Sequence, residues 1–218
     1  MKKLLTIIIL FISLSTYSQI RIDSTTFTIN HGDLTLYLDK DTASFISVHK
    51  VTYKQIRKID GVRSDIWHKE KPKGPYNKQP YQHSGYDLGH LTPSNITSYD
   101  DSLNYHSFSF LNQAPQMAAF NRGPWAHVEG VVVEMILASK SNATIITGVL
   151  YENDKKLFLG TSRIKIPFVY YKVLFINGIE VKAWIGSNIN GLVTETDLKS
   201  ILDIAIKSNN KLNIVKIN

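Results

Sequence analysis

Short apolar runs separated by polar turns set the pattern of this chain. Phe27–Asn30, Leu34–Leu38 and Phe45–Val51 are rich in branched and aromatic residues, and polar segments such as His31-Gly32-Asp33 part them. Runs of this length with β-favouring side chains predict strands. Ser107–Leu111 is a further short strand of this kind, and Ala143–Leu150 and Ile164–Ile176 read as central strands. Asn177-Gly178 is a hairpin signal leading into Ile179–Ile185, because both residue types accept the positive φ of a tight turn. Asp65–Tyr81 is polar and carries Pro72, Gly74, Pro75 and Pro80. It reads as a long loop, and long loops inside compact domains tend to be functional.

The pattern changes at Pro124–Lys140. Trp125, Val128, Val132, Met135 and Ile136 recur at intervals of three and four, which predicts an apolar helical stripe. Pro124 is tolerated only in a first turn, so the helix is expected to begin near Asn121–Gly123, with Asn121 as N-cap. A second helix is expected from about Asp197 to Lys207, with Thr194 and Asp197 at capping-box spacing. Strands and turns with two helices predict an α+β fold with a central, mostly antiparallel sheet flanked by helices. No internal repeat, low-complexity tract or linker interrupts the sequence.

The start of the chain breaks this pattern. Lys2 and Lys3 precede an uninterrupted apolar run, Leu4–Ile12, followed by small and polar residues up to Ser18. This is the layout of a secretory signal peptide, and the run is short of the ~20 apolar residues of a membrane span. Residues 1–18 are therefore expected to be a leader, and 19–218 a single domain that is secreted or periplasmic and not membrane-attached once the leader is cut. An uncleaved anchor is the alternative.

Composition narrows the chemistry. Of 218 residues, 43% are hydrophobic and 11% aromatic, enough to build a core, so disorder is excluded. There are no cysteines, which rules out disulfides, Cys-ligated zinc or iron–sulfur sites and a cysteine nucleophile. The net charge is +7, and loss of Lys2 and Lys3 lowers it to +5. That balance hints at an anionic partner, although positive charge also simply aids solubility.

Two stretches carry candidate chemistry. Ser84-Gly85-Tyr86-Asp87-Leu88-Gly89-His90-Leu91-Thr92-Pro93 sets a histidine after a glycine, with an aspartate three positions before, in what reads as a turn. Asn112-Gln113-Ala114-Pro115-Gln116 is followed by Asn121, Trp125 and Glu129. Asn121 and Glu129 are eight residues apart, so both can lie on one helix face. An amide oxygen and a carboxylate opposite a histidine can assemble a site for hydrated Mg²⁺.

With these residues, from about Tyr53 to Asn190, the sequence resembles the DNA/RNA non-specific endonucleases. These are the ββα-metal nucleases, whose signature reads Asp-Arg-Gly-His and which include secreted bacterial nucleases and mitochondrial endonuclease G. Thr147-Gly148-Val149, Ile166-Pro167 and Tyr171-Lys172-Val173 resemble the later core strands of that family. The resemblance implies a ββα-metal nuclease fold and a metal-dependent endonuclease acting on DNA and/or RNA with low sequence specificity. It makes His90 the general base and Asn121 the one direct ligand of a single Mg²⁺, for which Mn²⁺ could substitute. Glu129 would hold metal-bound water, Asp87 would support the motif by hydrogen bonding, and Asn112 would fix the histidine loop or the phosphate.

Other residues have plainer readings beside these. Asn121 could be only a helix cap, and Glu129 only an exposed acid. His83, His106 and His127 fall outside the matching positions and are taken as surface residues, and Trp125 as core. Arg57, Lys58, Arg63, Lys71, Lys73 and Lys78 form a basic region that either tracks a phosphate backbone or is merely solvated. One departure stands out: Leu88 occupies the place of the signature arginine. A lost charge-assisted contact to phosphate would cost ~1.5–3 kcal/mol. Arg122, with Arg57, is the expected compensating cation at the substrate. The alternative is a weakened or inactive nucleic-acid-binding member of the same fold. A phosphodiesterase for another anionic substrate is a third reading.

Overall fold

A computed structural model describes residues 19–21, 27–38, 44–71, 78–152, 157–207 and 215–217. The expected leader, 1–18, lies outside the described residues, as do Lys73 and the Pro/Gly-rich middle of the long loop.

The chain opens with β1 (Gln19–Arg21) and then forms β2 (Phe27–His31), β3 (Leu34–Leu38), β4 (Ser44–Val51) and a single-turn α1 (Tyr53–Ile56). After the long loop come β5 (Tyr86–His90), α2 (Ser94–Thr97), α3 (Asp101–Ser107) and β6 (Gln113–Met117). A helical segment follows, comprising α4 (Ala118–Phe120), a wide π-type turn at Asn121–Trp125 and α5 (Ala126–Ser139). The remainder is β7 (Ala143–Leu150), β8 (Val169–Ile176), β9 (Ile179–Ser187), β10 (Val193–Thr196), α6 (Leu198–Lys207) and β11 (Val215–Ile217).

Among the described residues, seven strands form the central sheet in the order β10-β9-β8-β7-β4-β3-β2, with neighbours antiparallel. Strands β7 and β8 are buried along almost their whole length, which explains their continuous apolar character. Side-chain alternation sorts β8 between two cores. Val173 and Phe175 pack with Phe120, Trp125 and Ile201. The intervening Leu174 packs with Val128, Val132 and Ile136 of α5. The expected α+β class and mostly antiparallel sheet are therefore observed. The β1–β11 pairing has no counterpart in the sequence-based expectation.

Four local expectations are corrected. Ser107–Leu111 is not a strand. The Asp100 side chain caps α3 by accepting from Leu103 N at 2.8 Å, and the helix runs to Ser107. Ser109 then accepts from Leu111 N at 3.1 Å and starts a 3₁₀ turn. Strand β8 begins at Val169 rather than at Ile164; Pro167, just before it, has no N–H to give a ladder. Thr194 does not cap α6 but pairs with Ile185 in the sheet. The cap is Asp197, whose Oδ1 accepts from Ser200 N at 2.7 Å.

The fourth correction touches the site. Asn121 is not an N-cap: the helical segment starts three residues earlier, and Asn121 itself has helical φ and ψ. The irregularity falls at Gly123, with φ −110° and ψ −107°, just before Pro124, which lacks the N–H that a regular ladder needs.

Candidate active site

The His90 motif lies in a strand, not a turn. β5 and β6 pair antiparallel, with Asp87 opposite Gln116, Leu88 opposite Pro115, Gly89 opposite Ala114 and His90 opposite Gln113. Gly89 is dictated by this pairing, because a Cβ there would collide with the Gln116 side chain. Asn188 anchors β6 to the main sheet. Its Oδ1 accepts from Met117 N at 2.8 Å, and its Nδ2 donates to Pro115 O at 2.9 Å and Pro167 O at 2.8 Å.

Asn112 holds the chain that leaves His90. Its carbonyl accepts from Leu91 N at 2.9 Å and its Oδ1 from Thr92 N at 3.0 Å. Its Nδ2 donates to Thr92 O and Ser107 O, both at 2.8 Å. The residue is fully buried and does not line the cleft described next.

Strand β5, the start of α2, the helical segment and the loop after α1 line a cleft of about 490 Å³. Asp87, Leu88 and His90 reach it from β5, and Asn121 and Glu129 from the π turn and α5. Arg63 and Trp67 reach it from the loop after α1. The sequence-predicted His90, Asp87, Asn121 and Glu129 are thus brought together. Arg57 is not; its guanidinium sits 5.7 Å from the centre of the Tyr53 ring. Arg122 is engaged elsewhere, in a two-pronged pair with Asp87 at 2.9 and 2.6 Å. His106 is not a free surface residue, since its Nδ1 lies 2.8 Å from Glu70 Oε1. His83 and His127 are exposed, and Trp125 is fully buried core.

Arg63 is the residue that the sequence did not single out. It lies within the basic region, but nothing in its local pattern separates it from Arg57 or Lys58. Its guanidinium donates to Ser94 Oγ at 3.0 Å and to Asp65 Oδ1 at 3.1 Å, and it lies 5.2 Å from the centre of the Phe108 ring. Leu88 packs by contrast among Leu103, Phe110, Leu111 and Trp67.

Burial dominates the electrostatics. The His90 ring lies 4.9 Å from that of Trp67 and 5.0 Å from that of Phe108, and its Nε2 is buried without a hydrogen-bond partner. Desolvation, with help from the nearby Arg63 charge, lowers its pKa to about 3, so the ring is neutral and retains a lone pair. Burial raises Glu129 to about 7, against the pull of Lys172 and Arg63. Lys172, fully buried, is lowered to about 8 by desolvation, and its Nζ donates to Thr147 Oγ1 at 2.6 Å. Burial would raise Asp87, but the hydrogen bonds from Arg122 and Asn121 hold it below its ordinary value.

The donors fit a hard cation. Asn121 gives its Nδ2–H to Asp87 Oδ2 at 2.9 Å, which leaves the amide oxygen as its remaining polar atom. Glu129 is a partly buried carboxylate at the cleft whose neighbouring cations only partly offset its desolvation. An amide oxygen, a carboxylate and room for water match the preference of Mg²⁺ for oxygen ligands and retained hydration. A second group able to hold a metal, His31, Glu70 and His106, lies outside this cleft.

Comparison with known proteins gives the family and the fold relationship. The chain matches the family described as DNA/RNA non-specific endonuclease over residues 17–201. It is 27% identical over 95 residues to a salivary endonuclease of Lutzomyia longipalpis; the match covers 40% of this chain and 23% of that relative's length. Its fold is similar to a chain in the crystal structure of the EndoG/EndoGI complex, which concerns the mechanism of EndoG inhibition. The TM-score is 0.68 at 20% identity, over 88% of this chain and 92% of that one. With the ββα unit of β5, β6 and α5 at its cleft and a match across most of its length, the chain belongs to the DNA/RNA non-specific endonuclease family.

Proposed function

We propose that this protein is a metal-dependent endonuclease that hydrolyses phosphodiester bonds of DNA and/or RNA with little sequence preference. The observation that carries this reading is the convergence of His90, Asn121, Glu129 and Arg63 on one cleft. Asn121 would hold one Mg²⁺ directly, with Glu129 bound to its water shell. When bound, that ion supplies Lewis-acid stabilisation of the charge that develops on the phosphate and the leaving oxygen.

The residues divide the remaining work. His90, neutral and walled by Trp67 and Phe108, accepts a proton from water as that water attacks phosphorus. The bond to the 3′ oxygen breaks and that oxygen takes a proton from a second water, leaving a 5′-phosphate and a 3′-hydroxyl. A phosphate anion in the cleft raises the basicity of the imidazole, opposing the desolvation that depresses it in the free protein. Arg63 provides the cation that Leu88 cannot, since its guanidinium lines the same cleft. Asp87 positions Asn121, and Asn112 positions the His90 segment. Low sequence preference follows from a site that addresses phosphate and water rather than base edges.

The layout of Lys2, Lys3 and Leu4–Ile12 supports export to the cell exterior or periplasm. N-terminal sequencing of the secreted protein tests that, with a new terminus near Gln19 expected. The activity is tested by plasmid and RNA cleavage with Mg²⁺, with EDTA, and with His90→Ala. Cleavage is expected only in Mg²⁺, and loss of at least ~100-fold in the variant. Cleavage unchanged in His90→Ala would overturn the mechanism. Salt-dependent binding without cleavage over a broad metal screen would favour the binding-only alternative that Leu88 suggests.

A further inference from the structure

Three of the chain's seven histidines converge on one carboxylate away from the cleft. His31 Nε2 lies 3.2 Å from Glu70 Oε2, His68 Nε2 lies 3.3 Å from Oε1, and His106 Nδ1 lies 2.8 Å from Oε1. All four side chains are largely shielded, at 13–28% exposure. We propose that His31, Glu70 and His106 form a second metal site, for a zinc-like transition ion, which fastens the loop carrying Arg63 and Trp67, with His68 held against the same carboxylate.

The protonation pattern of His68 is the first argument. Its Nδ1 lies 3.1 Å from the carbonyl oxygen of Ile66. A carbonyl only accepts, so Nδ1 carries the hydrogen. In the neutral ring, Nε2 then turns a lone pair toward a carboxylate oxygen. Two acceptors face each other unless a proton or a cation lies between them. A histidine fixed in this way beside a ligating carboxylate is an outer partner that holds the carboxylate in place.

Spacing and donor type are the second argument. Four ligands at zinc bond lengths of ~2.0–2.1 Å stand about 3.3 Å apart in a tetrahedron. The His31 and His106 nitrogens, 3.2 Å from Oε2 and 2.8 Å from Oε1 of Glu70, lie close to that edge length. The ligand atoms of His31, Glu70 and His106 all lie within 4.8 Å of one another. Two imidazoles and one carboxylate, with water as the fourth ligand, suit zinc and its transition-series neighbours rather than Mg²⁺ or Ca²⁺. The His31 and His106 rings stack at 3.7 Å and 14°, too close for both to be cations. Closing on an ion requires those rings to splay, by side-chain rotation alone.

The position gives the site a consequence. His31 ends β2, His106 lies in the last turn of α3, and His68 and Glu70 belong to the loop between them in space. That loop is tied by Ser64 N to Asn104 Oδ1 at 2.7 Å and, at His68, by His68 N to Phe108 O at 3.3 Å and Phe110 N to His68 O at 3.0 Å. Trp67, beside His68, forms one wall of the His90 pocket. An ion here would hold that wall without touching the chemistry.

The test uses EDTA-stripped full-length protein titrated with Zn²⁺ in excess Mg²⁺, followed by calorimetry and thermal melting. One equivalent is expected to bind and raise Tm. His106→Ala and Glu70→Gln, each checked by circular dichroism in EDTA, should weaken binding by more than ~10-fold. Asn121→Ala should bind zinc as the parent does. Co²⁺ loaded into the unmutated protein should give the intense visible bands of tetrahedral coordination, independent of any variant. Absence of a zinc-dependent heat or Tm shift, an octahedral Co²⁺ spectrum, or loss of binding in Asn121→Ala in place of His106→Ala would each overturn the proposal.

Discussion

Asn121 and Asp87 are joined by a 2.9 Å hydrogen bond in which the amide nitrogen is the donor. The direction is forced, because an ionised carboxylate can only accept. Asp87 therefore decides which end of the Asn121 amide faces the cleft. Asp87→Asn removes that control and also breaks the pair with Arg122. Cleavage at limiting Mg²⁺ should fall ~10–100-fold and recover in part at high Mg²⁺, the pattern of a lost outer partner of a metal ligand. Arg122→Ala should fall much less, because Asn121 keeps its contact. Rates measured across a Mg²⁺ series distinguish the two.

Arg63 and Leu88 make a complementary pair of tests. Arg63→Ala should lower kcat/KM ~10–100-fold, the size of a lost charge-assisted contact to phosphate. Leu88→Arg restores a cation to the same cleft, so in the Arg63→Ala background it should recover part of that loss. A double variant no better than Arg63→Ala alone would show that position 88 cannot reach the phosphate.

Acid stability follows from buried His49 and from His90 and Glu129, which are partly buried at the cleft. His49 and His90 are lowered to about 4 and about 3 by burial. Their unfolded value is near 6.5, so the unfolded chain binds these protons first. Their contribution is complete above pH 6.5 and is lost as the pH falls toward 4 and 3. Glu129, raised to about 7, acts in the opposite sense between pH 7 and 4.5, where the folded state binds the proton first. One histidine is thereby offset in that interval, and the net loss is about 1.4 kcal/mol per pH unit. Below pH 4.5 the offset ends and Glu70, held at about 2, adds to the loss. Tm measured against pH in EDTA should fall gently to pH 4.5 and steeply below it. Glu129→Gln should make the first stage steeper.

Gly89 offers a test of packing alone. In Gly89→Ala the new methyl meets the buried Gln116 side chain, at a cost of ~1–3 kcal/mol for overpacking. Gln116→Ala in the same chain opens the space, and the double variant should melt above Gly89→Ala. Chemical denaturation of the three proteins measures both effects.

The central strands were legible because each carries its own signal. β3 and β7 are apolar runs of strand length bounded by turn residues, and the Asn177-Gly178 turn has the expected positive φ at both positions. The β5–β6 pair was not legible. Tyr86–His90 and Gln113–Met117 lack alternating apolar residues, and their pairing depends on contacts 23 to 31 residues apart along the chain. His90, Asn121 and Glu129 could be read from motif and spacing. Arg63 could not, because a guanidinium 27 residues before His90 in a loop has no periodicity to reveal where it points. His106 was misread for the same reason: its partner, Glu70, is 36 residues away.

The wide turn at Asn121–Trp125 has an evolutionary corollary. A residue inserted into a helix shifts the register of everything before it relative to everything after it. Asn121 and Glu129 meet at the cleft from opposite sides of such an insertion. Deleting Gly123 and replacing Pro124 with alanine would permit a regular ladder and yield a better-formed helix, yet it would rotate Asn121 away from Asp87. Selection for thermal robustness alone would thus favour that change, whereas selection for chemistry would retain the defect.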